Sequence, residues 1–185
     1  MIRIILYFTL FLLAVSPIDA FGTEIIGPEV RVTHGEIVVT AGLALDEKNL
    51  NDLKSGISKE ITFYVDLFRF WKMWPNEFVA GKKIVKTLRC DPIKKEYMAT
   101  AFDGATLTEK RFKSFDSMLD WTLNIRDLKL IHEKELQQSE YFVRVTAESR
   151  LRNIPPIIGY LLFFVEEREF KVAKDSPSLA TGTEK

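Results

Sequence analysis

The stretch ITFYVDLFRFWKMW, residues 61–74, decides the fold of this chain. Apolar and aromatic side chains occupy both of its alternating faces, with the charged residues Asp66, Arg69 and Lys72 interspersed. Successive side chains of a strand point to opposite sides of a sheet, so this pattern predicts a long strand that is covered on both sides. We therefore place residues 61–74 at the centre of the fold.

Two more strands are predicted downstream, over residues 82–90 and 95–102. Asp91 and Pro92 stand between them and suit the first two positions of a type I turn, because the ring of proline already has the φ that the second position needs. The three strands are therefore expected to form an antiparallel meander that serves as the scaffold.

Two alternating, β-branched runs, residues 30–33 and 36–45, precede the meander. His34 and Gly35 separate them, a pattern typical of a tight hairpin, which makes His34 a turn residue rather than a metal ligand. One face of the second strand is expected to be formed by Ile37, Val39, Ala41, Leu43 and Leu45.

Two helices and two later strands complete the predicted fold. Asp46 is expected to cap a short helix that Gly56 ends, and Ser114 is expected to begin a second helix. Alternating side chains then predict strands over residues 128–136 and 141–151. We expect a mainly β (α+β) protein: an antiparallel β-sandwich or partly closed barrel of about eight strands with two helices packed on it.

The composition restricts both the partners and the domain organisation. The chain has 26 basic and 26 acidic residues, so its zero net charge offers no attraction to nucleic acid. Cys90 is the only cysteine, so no disulfide can form within the chain, and its place at the end of an apolar strand predicts burial. Residues 21–172 suit a single β-rich domain, and the polar composition of residues 173–185 predicts a flexible tail.

Residues 1–20 have the parts of an export signal. Arg3 precedes an apolar run from Ile4 to Val15, and a short polar stretch ends at Ala20, after which cleavage is expected. The run is shorter than the about 20 apolar residues that a spanning helix needs, which favours removal over an uncleaved anchor. The mature protein is then expected to be periplasmic or secreted.

A second apolar run begins at Ile157 and ends at Val165. It is too short to span a bilayer. One interpretation is a buried closing strand or core helix. The other is a peripheral membrane contact, in which Arg150 and Arg152 meet the lipid head groups beside the run.

Motifs that indicate catalysis or a cofactor are missing from the sequence. The two histidines and the single cysteine form no pair at metal-ligand spacing, and neither a Gly-x-Ser-x-Gly motif nor a complete phosphate loop occurs. The sequence therefore predicts a protein that is not an enzyme and has neither a cofactor nor a metal site.

The aromatic cluster in the central stretch is the feature that points most directly to function. We predict that Tyr64, Phe70, Trp71 and Trp74 contact a partner or ligand. An exposed aromatic tip after the strand suits a protein partner, because Trp and Tyr contribute strongly to interface energies. Two alternatives remain: the rings fill the core, or they line a cavity for an apolar, lipid-like ligand.

The order of these pieces carries a family resemblance. An export signal, a long aromatic strand, a hairpin around Asp91, a helix with Phe115 and Leu119, and a strand over residues 141–151 followed by Ile154 occur in that order. This order resembles a family of exported bacterial proteins known only as a domain of unknown function and often encoded beside a nitrogen-regulation-type sensor kinase. The resemblance implies a bacterial envelope location and transfers no functional residues. The leading expectation is a non-enzymatic envelope protein that binds a protein partner such as a membrane sensor.

Overall fold

A computed structural model describes residues 22–150 and 168–181, which form ten strands and two helices. In chain order the elements are β1 (Glu24–Thr33), β2 (Glu36–Ala44), α1 (Glu47–Lys54), β3 (Lys59–Arg69), β4 (Glu77–Asp91), β5 (Glu96–Phe102), β6 (Leu107–Phe112), α2 (Phe115–Leu123), β7 (Asn124–His132), β8 (Ser139–Arg150), β9 (Arg168–Asp175) and β10 (Leu179–Thr181). A short 3-10 helix, Glu133–Glu135, lies between β7 and β8.

The described strands form two antiparallel sheets. β1, β2 and β7 make up the smaller sheet, and the larger sheet has the order β10-β8-β3-β4-β5-β6, with β9 also paired to β8. Buried apolar side chains from both sheets form one core cluster, which α1 and α2 also join. Of the two predicted architectures, the β-sandwich with packed helices describes this protein.

The predicted meander is confirmed as β3, β4 and β5 at the centre of the larger sheet. Leu88 of β4 pairs with Ala99 of β5, and the chain reverses between the two strands as predicted. The Asp91 carboxylate accepts hydrogen bonds from the backbone N–H groups of Ile93 and Lys94, both at 3.0 Å. The aspartate therefore stabilises the turn through its side chain, as its residue type indicated.

The prediction for the central stretch is wrong in two respects. β3 ends at Arg69, so the chain leaves the sheet before it reaches Trp74. The strand is also not covered on both sides, because Phe63 on its inner face is buried whereas Tyr64 and Phe68 on its outer face are half-buried. The inner face of the larger sheet carries the core, and the outer face stays accessible to solvent.

The predicted N-terminal hairpin and both helix caps are confirmed. β1 and β2 are joined by His34 and Gly35, which have positive φ angles of 53° and 78°, the combination that a type I′ turn requires. The side chains of Asp46 and Ser114 accept backbone N–H bonds at the starts of α1 and α2. The residues predicted to share one face of the second strand, Ile37, Val39, Ala41, Leu43 and Leu45, are all buried.

The flexible tail predicted from Ala173 is corrected as far as Thr181. β9 and β10 both pair with β8, and Val172 of β9 packs against the core. Between them, Ser176 donates its backbone N–H to the carbonyl oxygen of Val143 at 2.8 Å and accepts the Val143 N–H on its Oγ at 3.0 Å. A polar composition is compatible with strands here, because the backbone bonds to β8 stabilise them. These two strands and β6, which the sequence analysis also did not predict, bring the described total to ten, against about eight predicted.

Neither helix in the described ranges is long and apolar enough to cross a membrane. The predicted export signal, residues 1–20, and the apolar run from Ile157 to Val165 lie outside the described residues. The expectations attached to both segments therefore stay predictions.

Candidate interaction surface at the β3–β4 hairpin

Large apolar side chains lie exposed around the loop that joins β3 to β4. They are Phe70, Trp71, Met73, Trp74 and Phe78, which we call the hairpin surface. Met73 is 90% and Trp74 is 76% exposed. A cluster of exposed large apolar side chains commonly marks an interaction site, because a folded chain otherwise tends to bury such groups.

Hydrogen bonds hold the backbone of this loop near both of its ends. The N–H of Phe70 donates to the carbonyl oxygen of Glu140 at 2.8 Å, and the N–H of Trp71 donates to Oδ1 of Asn76 at 3.2 Å. Pro75 has no backbone N–H that could donate a hydrogen bond to a neighbouring strand. The last part of the predicted strand is therefore a loop that presents its side chains outward.

Arg69, the last residue of β3, restricts the loop through the contacts of its side chain. The centre of its guanidinium lies 5.8 Å from the ring centroid of Trp71 and 5.9 Å from that of Tyr141. Its Nη1 lies 3.2 Å from Oε2 of Glu77. Cation–π contact and ion pair together restrict the Trp71 ring before any partner binds, which lowers the entropy lost on association.

The aromatic surface continues onto the outer face of the larger sheet. The ring of Phe68 stacks on that of Phe142, with centroids 5.5 Å apart, and meets Phe78 edge-on at 5.9 Å. Arg144 lies over the rings of Phe68 and Phe142 and is held by Asp175 through bonds of 2.6 and 2.7 Å. A row of three rings therefore runs from β8 across β3 to the hairpin surface.

Tyr64, the fourth predicted contact residue, lies apart from the hairpin surface. Its hydroxyl donates a hydrogen bond to Oε1 of Glu148 at 3.1 Å, and its ring centroid lies 5.7 Å from Nζ of Lys83. Burial, followed by the hydrogen bond and charge of Glu148, raises the pKa of Tyr64. The tyrosine therefore takes part in the side-chain network of the sheet itself.

The loop carries three of the predicted contact residues, Phe70, Trp71 and Trp74. The hairpin surface also includes two residues that sequence reasoning missed. Met73 and Phe78 are both more than half exposed. The signal for Met73 was its position between two tryptophans just before Pro75, which marks a turn. No local signal distinguished Phe78 from a buried strand residue, because its accessibility depends on which face of the sheet is covered.

The aromatic side chains do not converge on one interior cavity. Phe63 lies in the core, Tyr64 and Phe68 lie on the outer face, and the two loop tryptophans are at the surface. An open groove of about 370 Å³ at the other end of β4 has a largely charged lining: Arg89, Asp91, Lys95, Glu96 and Arg111, with Tyr97, Met98 and Phe112. This placement favours contacts at the surface over a ligand enclosed among the rings.

The five side chains of the hairpin surface are apolar, and the exposed Lys72 lies in the same loop, so this region offers apolar contact and ring stacking beside one cation. Across residues 22–150 and 168–181, no group of three or more His, Cys, Asp or Glu side chains could hold a metal ion. The arrangement suits binding.

No curated protein matches this chain, and no solved structure matches it. A family model matches residues 21–176, a range that includes the hairpin surface, the smaller sheet and all of the larger sheet except β10. This range is more than half of the chain, and the match agrees with the resemblance to a family of unknown function. The chain therefore belongs to the family described as Domain of unknown function (DUF4390).

Proposed function

We propose that this protein is an exported, non-enzymatic envelope protein that binds a protein partner, such as a membrane sensor, through the hairpin surface. The observation that supports this proposal is the exposure of five large apolar side chains, four in one anchored loop and Phe78 at the start of β4. Binding would remove this apolar area from water, which is the main favourable term in protein association.

The residue types on the loop suit a protein interface. Trp residues are enriched among the side chains that dominate binding energy, and Trp71 and Trp74 both lie here with Met73 between them. Because Arg69 already restricts the ring of Trp71 in the free protein, less side-chain entropy is lost when the partner binds.

The envelope location rests on the export pattern of residues 1–20 and on the resemblance to exported bacterial proteins. A protein released on the outer side of the inner membrane meets the exported domains of membrane proteins. A sensor domain is therefore a suitable partner for a loop that binds without catalysis.

Site-specific photo-crosslinking in the native cell tests this proposal. p-Benzoylphenylalanine replaces Trp74 in the full-length chain and, as a matched control, Ile93, which is 92% exposed at the turn between β4 and β5. We expect a single protein adduct from position 74 and none from position 93. Mass spectrometry should identify the adduct as a membrane protein with an exported domain.

Failure of position 74 to form an adduct, or equal adducts from both positions, would contradict the proposal. A lipid adduct in place of a protein would favour the alternative function, a carrier or sensor of an apolar ligand. With the identified partner purified, Trp74→Ala should weaken binding about 30-fold, the effect of losing a hot-spot residue. Its melting temperature should match the wild type, because the Trp74 side chain is 76% exposed.

A further inference from the structure

β4 is longer than the strand beside it, so part of its edge has no neighbour. β3 pairs with β4 from Glu77 to Leu88, whereas β5 pairs with β4 only from Val85 to Asp91. β5 ends at Phe102, opposite Val85, and the chain then turns into β6. On the side away from β3, the place next to residues 77–84 is therefore not filled by any described strand; we call this stretch the open edge.

The open edge presents backbone groups without partners in the described part of the chain. No backbone hydrogen bond outside the strand ladders, and no side-chain bond to the backbone, involves residues 77–84. Phe78, Gly81, Lys82 and Lys83 are exposed. Eight residues of strand extend over about 26 Å, enough to pair with one short extended segment.

We propose that the partner adds an extended, acidic strand to the open edge, an inference that rests on the proposed function and specifies its binding mode. Strand addition supplies affinity through main-chain hydrogen bonds and specificity through alternate side chains. The hairpin surface borders one end of the open edge. Phe102 and Leu107, which face each other across β5 and β6 and are both exposed, border the other end.

The two lysines of the open edge favour an acidic strand as its occupant. Lys82 and Lys83 are successive exposed residues, so their side chains extend to opposite faces of the strand. The nearby Glu77 is held by Arg69. The Asp103 carboxylate lies in the next turn, and its pKa is lowered first by its hydrogen bonds from Thr106 and Ala105 and to a smaller extent by the charge of Lys82. Acidic side chains on an added strand would lie near both lysines.

A second copy of this chain fits the open edge poorly. Edge-to-edge pairing of two copies would bring four lysines into one short ladder, and like charges across strands are destabilising. Lysines and bulges are common devices that protect exposed strand edges from self-association, and Val79 is the extra residue of a bulge here. The open edge therefore accepts an acidic strand and repels its own copy.

Hydrogen exchange with a defined peptide tests this inference on the purified full chain. The probe is a capped twelve-residue peptide that repeats Glu-Glu-Val-Val, which places glutamates on both faces of an added strand. The control peptide has Lys in place of every Glu. In the free protein, the outward amides of residues 77–84 should exchange rapidly. The Glu peptide should slow them at least tenfold, and the Lys peptide should leave them unchanged.

Two charge-reversal variants locate the site. Lys82→Glu/Lys83→Glu should weaken binding of the Glu peptide at least tenfold. Lys94→Glu/Lys95→Glu makes the same change in net charge at exposed positions of the other hairpin, so it should stay within twofold of the wild type. All four side chains are exposed, so both variants should have the same melting temperature as the wild type.

Slow exchange of residues 77–84 in the free protein would overturn the inference, as would no binding of the Glu peptide. Equal weakening of peptide binding in both variants would show that the peptide binds by general charge attraction and not at the open edge. A dimer with a protected open edge would identify a second copy as the occupant. The photo-crosslinking result is independent of these outcomes: a protein adduct at position 74 without peptide binding would keep the proposed function and remove only this binding mode.

Discussion

Lys59 and Lys86 lie on the same inner face of the larger sheet, in adjacent strands, and both are buried, yet the protein accommodates their charges differently. Lys59 pairs with carboxylates. Lys86 bonds to backbone carbonyls and lies against aromatic rings. One sheet therefore buries a cation in two ways. The two ways differ in which groups lose their partner when the lysine is removed.

Lys59 joins four elements at one end of the larger sheet. Its Nζ lies 2.5 Å from Oε1 of Glu169 in β9 and 3.2 Å from Oδ2 of Asp52 in α1. Ser149 of β8 donates its hydroxyl to the other oxygen of Glu169 at 2.7 Å. Removing the lysine would leave the buried Glu169 carboxylate without its cation.

Lys86 instead completes the end of α2. Its Nζ donates to the carbonyl oxygens of Trp121 at 3.1 Å and Asn124 at 2.7 Å, groups that the helix itself leaves without donors. The rings of Phe63 and Trp121 lie 5.6 Å from the same nitrogen. Burial, and to a smaller extent the charge of Arg126, lowers the pKa of Lys86 to about 8.

The largest expected effect is the loss of stability on replacing Lys59, and this loss distinguishes Lys59 from Lys86. Lys59→Met should lower the free energy of unfolding by about 3 to 5 kcal/mol, because it leaves a buried carboxylate unpaired. Urea unfolding at neutral pH measures this loss. The control Lys83→Met changes an exposed lysine and should stay within about 0.5 kcal/mol of the wild type.

A compensating change sharpens this result. Adding Glu169→Leu to Lys59→Met should recover most of the lost stability, since an apolar replacement of a buried ion pair is often neutral. A loss below about 1 kcal/mol in Lys59→Met alone would show that its buried charge pair is not the determinant described here.

The second prediction concerns pH and applies to Lys86. Its folded pKa of about 8 lies below the ordinary 10.5, so the unfolded chain binds more protons between those values and stability contributed by this group rises with pH. Relative to Lys86→Met, the wild type should gain up to about 3 kcal/mol from pH 8 to 10.5. Unfolding curves across that range measure the difference. Both proteins share Cys90 and all other titrating groups, so a flat difference would contradict the burial of a charged Lys86.

At neutral pH, Lys86→Met should cost less than Lys59→Met, about 1 kcal/mol. Two carbonyl groups lose their donor, but the penalty for burying a charge disappears with it. Hydrogen exchange should show faster opening at the end of α2 and no change in β9. A loss as large as that of Lys59→Met would remove the distinction between the two sites.

The smallest expected effect uses Cys90 as a local probe. The thiol is buried, as predicted, and burial, with a smaller contribution from the charge of Asp91, raises its pKa, so native labelling by a thiol reagent should be slow. Its carbonyl oxygen lies close to Gly56 at the end of α1, the helix that Lys59 holds. Labelling should therefore quicken in Lys59→Met and stay slow in Lys86→Met. Rapid labelling of the wild type would contradict the burial of this thiol.

The sequence predicted features that depend on a few neighbouring residues. The His34–Gly35 turn, the Asp91 turn and the caps at Asp46 and Ser114 were all predictable, because each is stabilised by local backbone geometry and short-range hydrogen bonds. Alternation also predicted which apolar side chains from Ile37 to Leu45 share one face, and these side chains are buried. These signals need no information about distant parts of the chain.

Predictions failed where a partner distant in the sequence decides the outcome. The apolar run past Arg69 looked like buried strand, although its side chains are exposed, since hydrophobicity alone does not separate core from interface. The end of β9, from Ala173 onward, and β10 looked like a tail because their stabilising bonds come from β8. Lys86 falls on the core side of the alternation between Ile84 and Leu88, but its acceptors lie beyond residue 120.

For the candidate site, the sequence identified the tryptophans of the loop, and the structure decided how they are presented. Composition and spacing by themselves determined the strand meander, the turns, the caps, the single buried cysteine and the lack of catalytic motifs in this protein. Only the tertiary structure decided which face of β3 is covered, that β4 extends past β5, and how two buried lysines find acceptors. The physical reason is that propensities and turns act over a few residues, whereas burial, sheet edges and charge pairing depend on chain segments that meet only in the folded state.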